Sequence, residues 1–361
     1  MQILSAFDSV APALARTRLI LFSPFRPGRT WKLAATAYLA TIGNVFLPLG
    51  LVALFFIPMA RQAGGSTAVT ILISFAIGTT LFGLAFIYVF SRLGFAFFDI
   101  VLNHGEFVAP AWRKYGQQSF KWTLFKVILG TLVTTAFALP AVTCVRHMID
   151  LFSTLHLEPG EQPTPEFLSA IFAGYAAFFL IYLGFAFFYF ASSLFSDFIV
   201  PSLALEDTSL GQAFQRLGCL IKKEPGQFTL YAALKLGMAL VGYFTASIAY
   251  YIVLLVVALV VGCVALLIGL LLHLAGVPSS VLMALGVVLG MICSMALFFY
   301  AVILGTGTVL TFLESYLLYF LGGRYLMLGD LLERSTPPAP LYTPPVGYPA
   351  YDSPANPNPA P

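Results

Sequence analysis

From Leu236 to Leu313 the chain carries no Asp, Glu, Lys or Arg, and His273 is the one ionisable base in that stretch. Soluble domains average about 25% charged residues, so no water-soluble fold accommodates such a run. A bilayer core about 30 Å thick takes roughly 20 apolar residues per helical span, which makes the run long enough for three. The rest of the chain shares the bias: 60% of its 361 residues are hydrophobic and 9% are charged. Mean hydropathy is +0.92. In hydrocarbon the backbone must satisfy its own hydrogen bonds. The expected fold class is therefore all-α, a polytopic transmembrane helical bundle with interfacial amphipathic helices.

Residues 1–32 read as a cytoplasmic or interfacial N-terminal segment, 33–334 as the transmembrane domain and 335–361 as a disordered tail. The N-terminus lacks a basic start before its apolar part and carries Arg16 and Arg18 in the middle, so it does not read as a cleaved signal. Phe7, Val10 and Leu14 recur at helical spacing opposite those arginines, which suits a helix lying in the interface with its cations toward anionic headgroups. Spans are expected near 33–59, where Asn44 and Pro48 invite a kink, and near 68–90, 123–144 and 167–195. Weak breakers at 242–247 and 276–280 divide the remainder into 228–250, 251–275, 281–304 and 308–322, the first two open to being one long bent helix. That makes six to eight spans. The tail holds ten prolines in 27 residues and reads as extended, with a P-x-x-P at Pro337 and Pro340 whose partner is unknown.

Lys and Arg fall thirteen to two in favour of segments 1–32, 91–126 and 196–227 over 61–67 and 145–166. The positive-inside bias therefore places the N-terminus and the two long basic loops in the cytoplasm, and an even span count returns the C-terminus there. Each long loop follows one plan. It leaves an aromatic-rich span through an Asp, crosses an amphipathic stretch with an Arg and re-enters through a Lys: Asp99, Arg113 and Lys126, then Asp197, Arg216 and Lys235. A literal LGFAFF at 93–98 and 183–188 adds to the likeness. Two parallel repeats, an arrangement common in transporters, would explain it, and so would coincidence among Phe-rich helices.

Within the second loop, Ser209 and Gln212 fit a capping box ahead of an apolar stripe, and Glu224-Pro225-Gly226 ends the helix. Such an interfacial helix suits anionic lipid through Arg216, Lys222 and Lys223, each worth on the order of 1 kcal/mol near a charged surface. It equally suits simple packing under the bundle. Arg92, Asp99, Lys126, Asp197 and Lys235 sit where side chains can snorkel to the interface. Glu314, inside an apolar run, is the deeper candidate for a buried partner of one of these cations. Gly286 and Gly290 form a small-residue stripe suited to close helix packing, within one copy or between two.

No H-E-x-x-H, G-x-S-x-G or Walker loop is present, and the four histidines and four cysteines are not grouped at metal spacing. The acids Glu158, Glu161 and Glu166 cluster in a Pro- and Gly-containing loop and read as a solvated face. No catalytic residue, cofactor or nucleic-acid site is expected.

Several fragments in order, RTRLILFSPFRPGRTWKL, SRLGFAFFDIVLN, PAWRKYGQQSFKW, SDFIVPSLALED, GQFTLYAALK and SYLLYFLGG, resemble a family of uncharacterised bacterial polytopic membrane proteins. More distantly the chain is similar to the membrane domain attached to some glycerophosphodiester phosphodiesterases, whose hydrolase domain it lacks. The resemblance implies a fold and a topology in the bacterial inner membrane and no catalytic residue. Two functions remain open. One is a non-enzymatic lipid-contacting scaffold or accessory factor; the other is a transporter or lipid-translocating protein. A transporter needs a polar cavity, whereas a scaffold can be packed solid.

Overall fold

A computed structural model describes residues 2–42, 66–103, 105, 107–153, 164–206, 208–276 and 278–335. Its helices are α1 (Val10–Phe22), α2 (Pro27–Ile42), α3 (Ser66–Asn103), α4 (Val108–Lys114), α5 (Gly116–Ser153), α6 (Pro165–Glu206), α7 (Leu210–Lys223), α8 (Pro225–Leu274), α9 (Ser279–Gly322) and α10 (Leu326–Ser335). No strand occurs among the described residues. Five helices, α3, α5, α6, α8 and α9, are long and apolar enough to cross a membrane. The kink expected at Asn44 and Pro48, the acids Glu158 and Glu161, and the Pro337/Pro340 motif of the tail lie outside the described residues.

The charge-free run folds as two helices rather than several segments: α8 has 50 residues and α9 has 44. The turn between them falls at Gly276, whose φ of +88° needs a glycine. The other expected breaker does not break. A Cβ at Gly242 would stand 2.8 Å from Val309 of α9, so this glycine lets the two helices approach. Ser247 donates its hydroxyl back to the Tyr243 carbonyl within the helix. Fewer segments thus remain than the upper end of the expected span range.

The core lies at one end of the bundle, where the last turns of α3, α6 and α9 meet the first turns of α5 and α8. Phe95, Phe98, Trp122, Ile199, Tyr231 and Phe320 are buried there. Tyr231 stacks on Tyr316 at 5.0 Å and on Phe320 at 4.5 Å between ring centroids. Helices α1, α7 and α10 close this end, contributing Ile20, Leu217 and Leu328. Toward the far end α8 and α9 expose residues such as Leu259, Leu266, Met283 and Val287, a surface suited to lipid.

Helix α1 departs from the interfacial expectation. Phe7, Leu14 and Arg18 are exposed, but Arg16 is 3% exposed. Its guanidinium donates to the carbonyls of Val101 (3.0 Å) and Leu102 (2.6 Å) and to Ser335 Oγ (3.0 Å). The last turn of α3 has carbonyls without helical partners and a negative dipole end, which attract a cation more strongly than distant headgroups do. A second arginine locks the same end. Arg324 forks onto Glu224 at 2.7 and 3.0 Å and donates to the carbonyls of Leu4 (2.9 Å) and Phe320 (2.8 Å).

Helix α7 matches its expected boundaries. Ser209 and Gln212 form the reciprocal capping box, Ala213 and Leu217 are buried, and Phe214 lies against Phe125 and Phe195.

Candidate functional site: a polar cavity at the basic end

Four long helices each carry one ionisable residue about ten positions from the basic end: Lys126 on α5, Asp197 on α6, Lys235 on α8 and Glu314 on α9. At 1.5 Å per residue this puts all four roughly 15 Å inside their helix ends. Because α8 and α9 run antiparallel, the residues bracketing the charge-free run, Lys235 and Glu314, arrive at the same level. All four line one cavity of about 350 Å³.

Helical periodicity supplies the rest of the wall. On α6, Tyr189, Ser193, Ser196, Asp197 and Val200 fall on one face and all line the cavity; on α8, Lys235, Leu236, Ala239, Leu240 and Tyr243 do the same. Ser91 and Gly94 come from α3, Trp122 from α5, and Leu310 and Leu313 from α9. The polar groups gather at the basic end, and the wall then turns apolar toward Leu240 and Tyr243.

Within the cavity Asp197 and Lys235 form an ion pair, each with 10–12% of its side chain exposed. Lys235 also reaches Ser193 Oγ at 3.2 Å, and Asp197 accepts from the Tyr231 hydroxyl at 3.0 Å. Glu314 stands beside this pair, and among the described residues it makes neither an ion pair nor a hydrogen bond. It is therefore near the expected cation without being its direct partner. Lys126 is 4% exposed, with its ammonium 3.5 Å from Ser91 Oγ and 5.4 Å from the Trp122 ring centre. Ser196 is 5% exposed and its hydroxyl has no partner among the described residues.

Lys126, Asp197 and Lys235, expected as buried or interfacial charges, have side chains enclosed by protein and do not snorkel to water. Each helix continues about ten residues past them into the packed end, so their side chains meet protein walls in place of water. The remaining interfacial candidates hold the loops. Asp99 accepts from the Tyr115 hydroxyl at 2.6 Å and from Lys114 at 3.0 Å. Burial, and after it the hydrogen bond to Asp99, pushes the Tyr115 phenol up to about 12. Arg92 donates to the Trp112 carbonyl at 2.8 Å and lies over the Trp112 ring at 5.0 Å. Arg113 is exposed.

On α7, Arg216 pairs with Glu206 and is exposed, as are Lys222 and Lys223. A Cβ at Gly286 or Gly290 would meet nothing within 4 Å among the described residues, so that stripe faces open space.

Asp99 with Tyr115 and Lys114, and Asp197 with Tyr231 and Lys235, repeat one pattern of carboxylate, phenol and ammonium. The LGFAFF copies do not follow it. Phe98 stands immediately before Asp99 and is buried, whereas Phe188 stands more than two turns before Asp197, and its neighbour Phe187 is 72% exposed. Sequence reading also missed Ser193 and Ser196; their spacing of three and four from each other and Asp197 is the signal that marks them as one face.

Among the described residues, five long apolar helices and several short ones define the class: an all-α bundle suited to a membrane. The chain belongs to a family of unknown function, DUF7544, which it matches over residues 4–331. No curated protein and no solved structure matches it.

Proposed function

We propose that the protein binds a small ligand in this cavity and carries it across or within the membrane, as a transporter or lipid-translocating protein. The observation that carries the reading is the cavity itself: two carboxylates and two ammoniums on four separate spans converge on a space of about 350 Å³. Ionisable side chains within membrane helices are rare and mark substrate or ion pathways. Four such groups with room between them suit a ligand site better than a solid scaffold. The basic end is read as cytoplasmic and the membrane as a bacterial inner membrane, from the distribution of Lys and Arg and the family likeness. A site for lipid would also suit the distant similarity to the membrane domain of glycerophosphodiester phosphodiesterases.

The scaffold reading keeps one favourable observation, the exposed Lys222 and Lys223 at the end of α7. Proteoliposomes separate the two. Transbilayer movement of labelled lipids and uptake of small solutes are measured for the wild type and for Glu314→Gln; activity lost in the variant is the expected result. A protein inert in both assays, whose retention of anionic lipid falls when Lys222 and Lys223 become Gln, would overturn the reading in favour of the scaffold.

A further inference from the structure

We propose that the cavity holds a zwitterionic amphiphile, its ammonium on Glu314, its phosphate or carboxylate toward Lys126 and its chain leaving past Leu236 and Leu240. This rests on the cavity being a ligand site and adds the chemistry of the ligand.

Charge balance comes first. The two lysines and two acids cancel formally, so an occupant with net charge leaves one charge uncompensated in a poorly solvated space, which is expensive. A zwitterion does not. The groups are also unequally engaged. Asp197 and Lys235 satisfy each other, whereas Glu314 has no hydrogen bond or ion pair among the described residues and Ser196 Oγ is buried without a partner. A carboxylate and a hydroxyl that line the same cavity can both accept, and a primary ammonium offers three donors. The ring of Tyr189 lines the same space and favours a cation over its face.

The amphiphile follows from depth and access. The polar groups sit where the charge-free run starts and stops, at Lys235 and Glu314, a boundary between charged and apolar surface that suits a lipid headgroup. Leu236 and Leu240 line the cavity and are 44% and 63% exposed, so this wall is not covered by another helix. The cavity therefore opens sideways toward hydrocarbon, through a wall suited to an acyl chain and not to a hydrated solute.

The test uses the full chain in detergent, read by tryptophan fluorescence and melting temperature, with dioctanoyl phosphatidylethanolamine, dioctanoyl phosphatidylglycerol and water-soluble O-phosphoethanolamine. Phosphatidylethanolamine is expected to bind at least about tenfold more tightly than either of the others. Glu314→Gln and Lys126→Gln should each weaken it by about tenfold, the size of one lost charge-assisted contact. Ala239→Phe, which leaves every charged group in place and fills the apolar wall, should weaken it too, and covers the case in which a charge variant fails to fold. Equal binding of O-phosphoethanolamine would overturn the amphiphile and leave a soluble zwitterion. Preference for phosphatidylglycerol, or a Glu314→Gln variant that binds unchanged, would overturn the zwitterion. If the preferred lipid is anionic yet Ala239→Phe still blocks it, only the ligand class fails. If nothing in the panel binds and Ala239→Phe leaves transport in proteoliposomes untouched, the cavity is not the site and both readings fall.

Discussion

Arg324 joins three parts of the chain through one guanidinium: Glu224 ahead of α8, Leu4 of the N-terminal segment and Phe320 of α9. Its side chain is 3% exposed. Arg324→Met keeps the length but leaves the carbonyls of Leu4 and Phe320 and the partly exposed Glu224 carboxylate without this donor, at a cost of about 1.5–3 kcal/mol, the range for hydrogen bonds to a charged group. Lys in its place should recover only part, because an ammonium cannot fork onto a carboxylate as a guanidinium does. Melting in detergent checks this, and an unchanged midpoint for both variants would remove the arginine lock from the account. Tyr115 gives a pH signature. Its phenol ordinarily titrates at 10.0 and is held up to about 12, so the folded form binds the proton more tightly. The stability this contributes is present below pH 10 and is lost as pH rises from about 10 through about 12. Tyr115→Phe should flatten that alkaline loss while costing about 1 kcal/mol at neutral pH for the hydrogen bond to Asp99. Alkaline melting curves that overlay for the two proteins would show that Tyr115 titrates normally.

Among the elements, glycines separate contacts that are made from surfaces left open. A Cβ at Gly307 of α9 would stand 2.3 Å from the Ala34 carbonyl oxygen of α2. Gly307→Ala should therefore push α2 off α9 and cost about 1–3 kcal/mol, as overpacking does. Gly290→Ala meets nothing, and should leave a single copy as stable or raise it by up to about 1 kcal/mol through helix propensity. Equal melting shifts for the two would refute the α2–α9 contact. The same distinction explains what could be read in advance. Helix α7 was legible because a capping box and an apolar stripe are local signals. The division of the charge-free run was not, since Gly242 looks like a breaker until Val309 is seen across from it. Lys126, Asp197 and Lys235 were picked out by type as buried or interfacial charges, but not as one cluster, because nothing near them in the chain announces that α1, α7 and α10 cover that end. Glu314 stood out as a charge within an apolar run, though Lys235 pairs with Asp197 and not with it, and the serines that share its cavity carry no charge to draw notice.

At the scale of the molecule, the two ends of α5 offer a test of orientation. Gln117 and His147 are both exposed and lie roughly 45 Å apart along the helix at 1.5 Å per residue. Single cysteines at these positions in a cysteine-free background should react from opposite sides with an impermeant thiol reagent, His147→Cys alone reacting in intact cells. Labelling of both from one side would sink the assignment of the basic end to the cytoplasm. The hairpin of α8 and α9 sets a further condition on the membrane itself. The charge-free part of α8, Leu236 to Leu274, extends about 58 Å, nearly twice a hydrocarbon core of about 30 Å. Even the largest tilts commonly seen, about 40°, leave it too long. The bilayer around it must thicken, or apolar surface must emerge, so the hairpin works as a gauge of local thickness. Melting in vesicles should rise as acyl chains lengthen from about 14 to about 22 carbons, and a flat series would show that the far end of the hairpin is not held in lipid. A chain that fits thick membranes better than thin ones is sorted by hydrophobic mismatch alone, gathering wherever the lipids around it are longest.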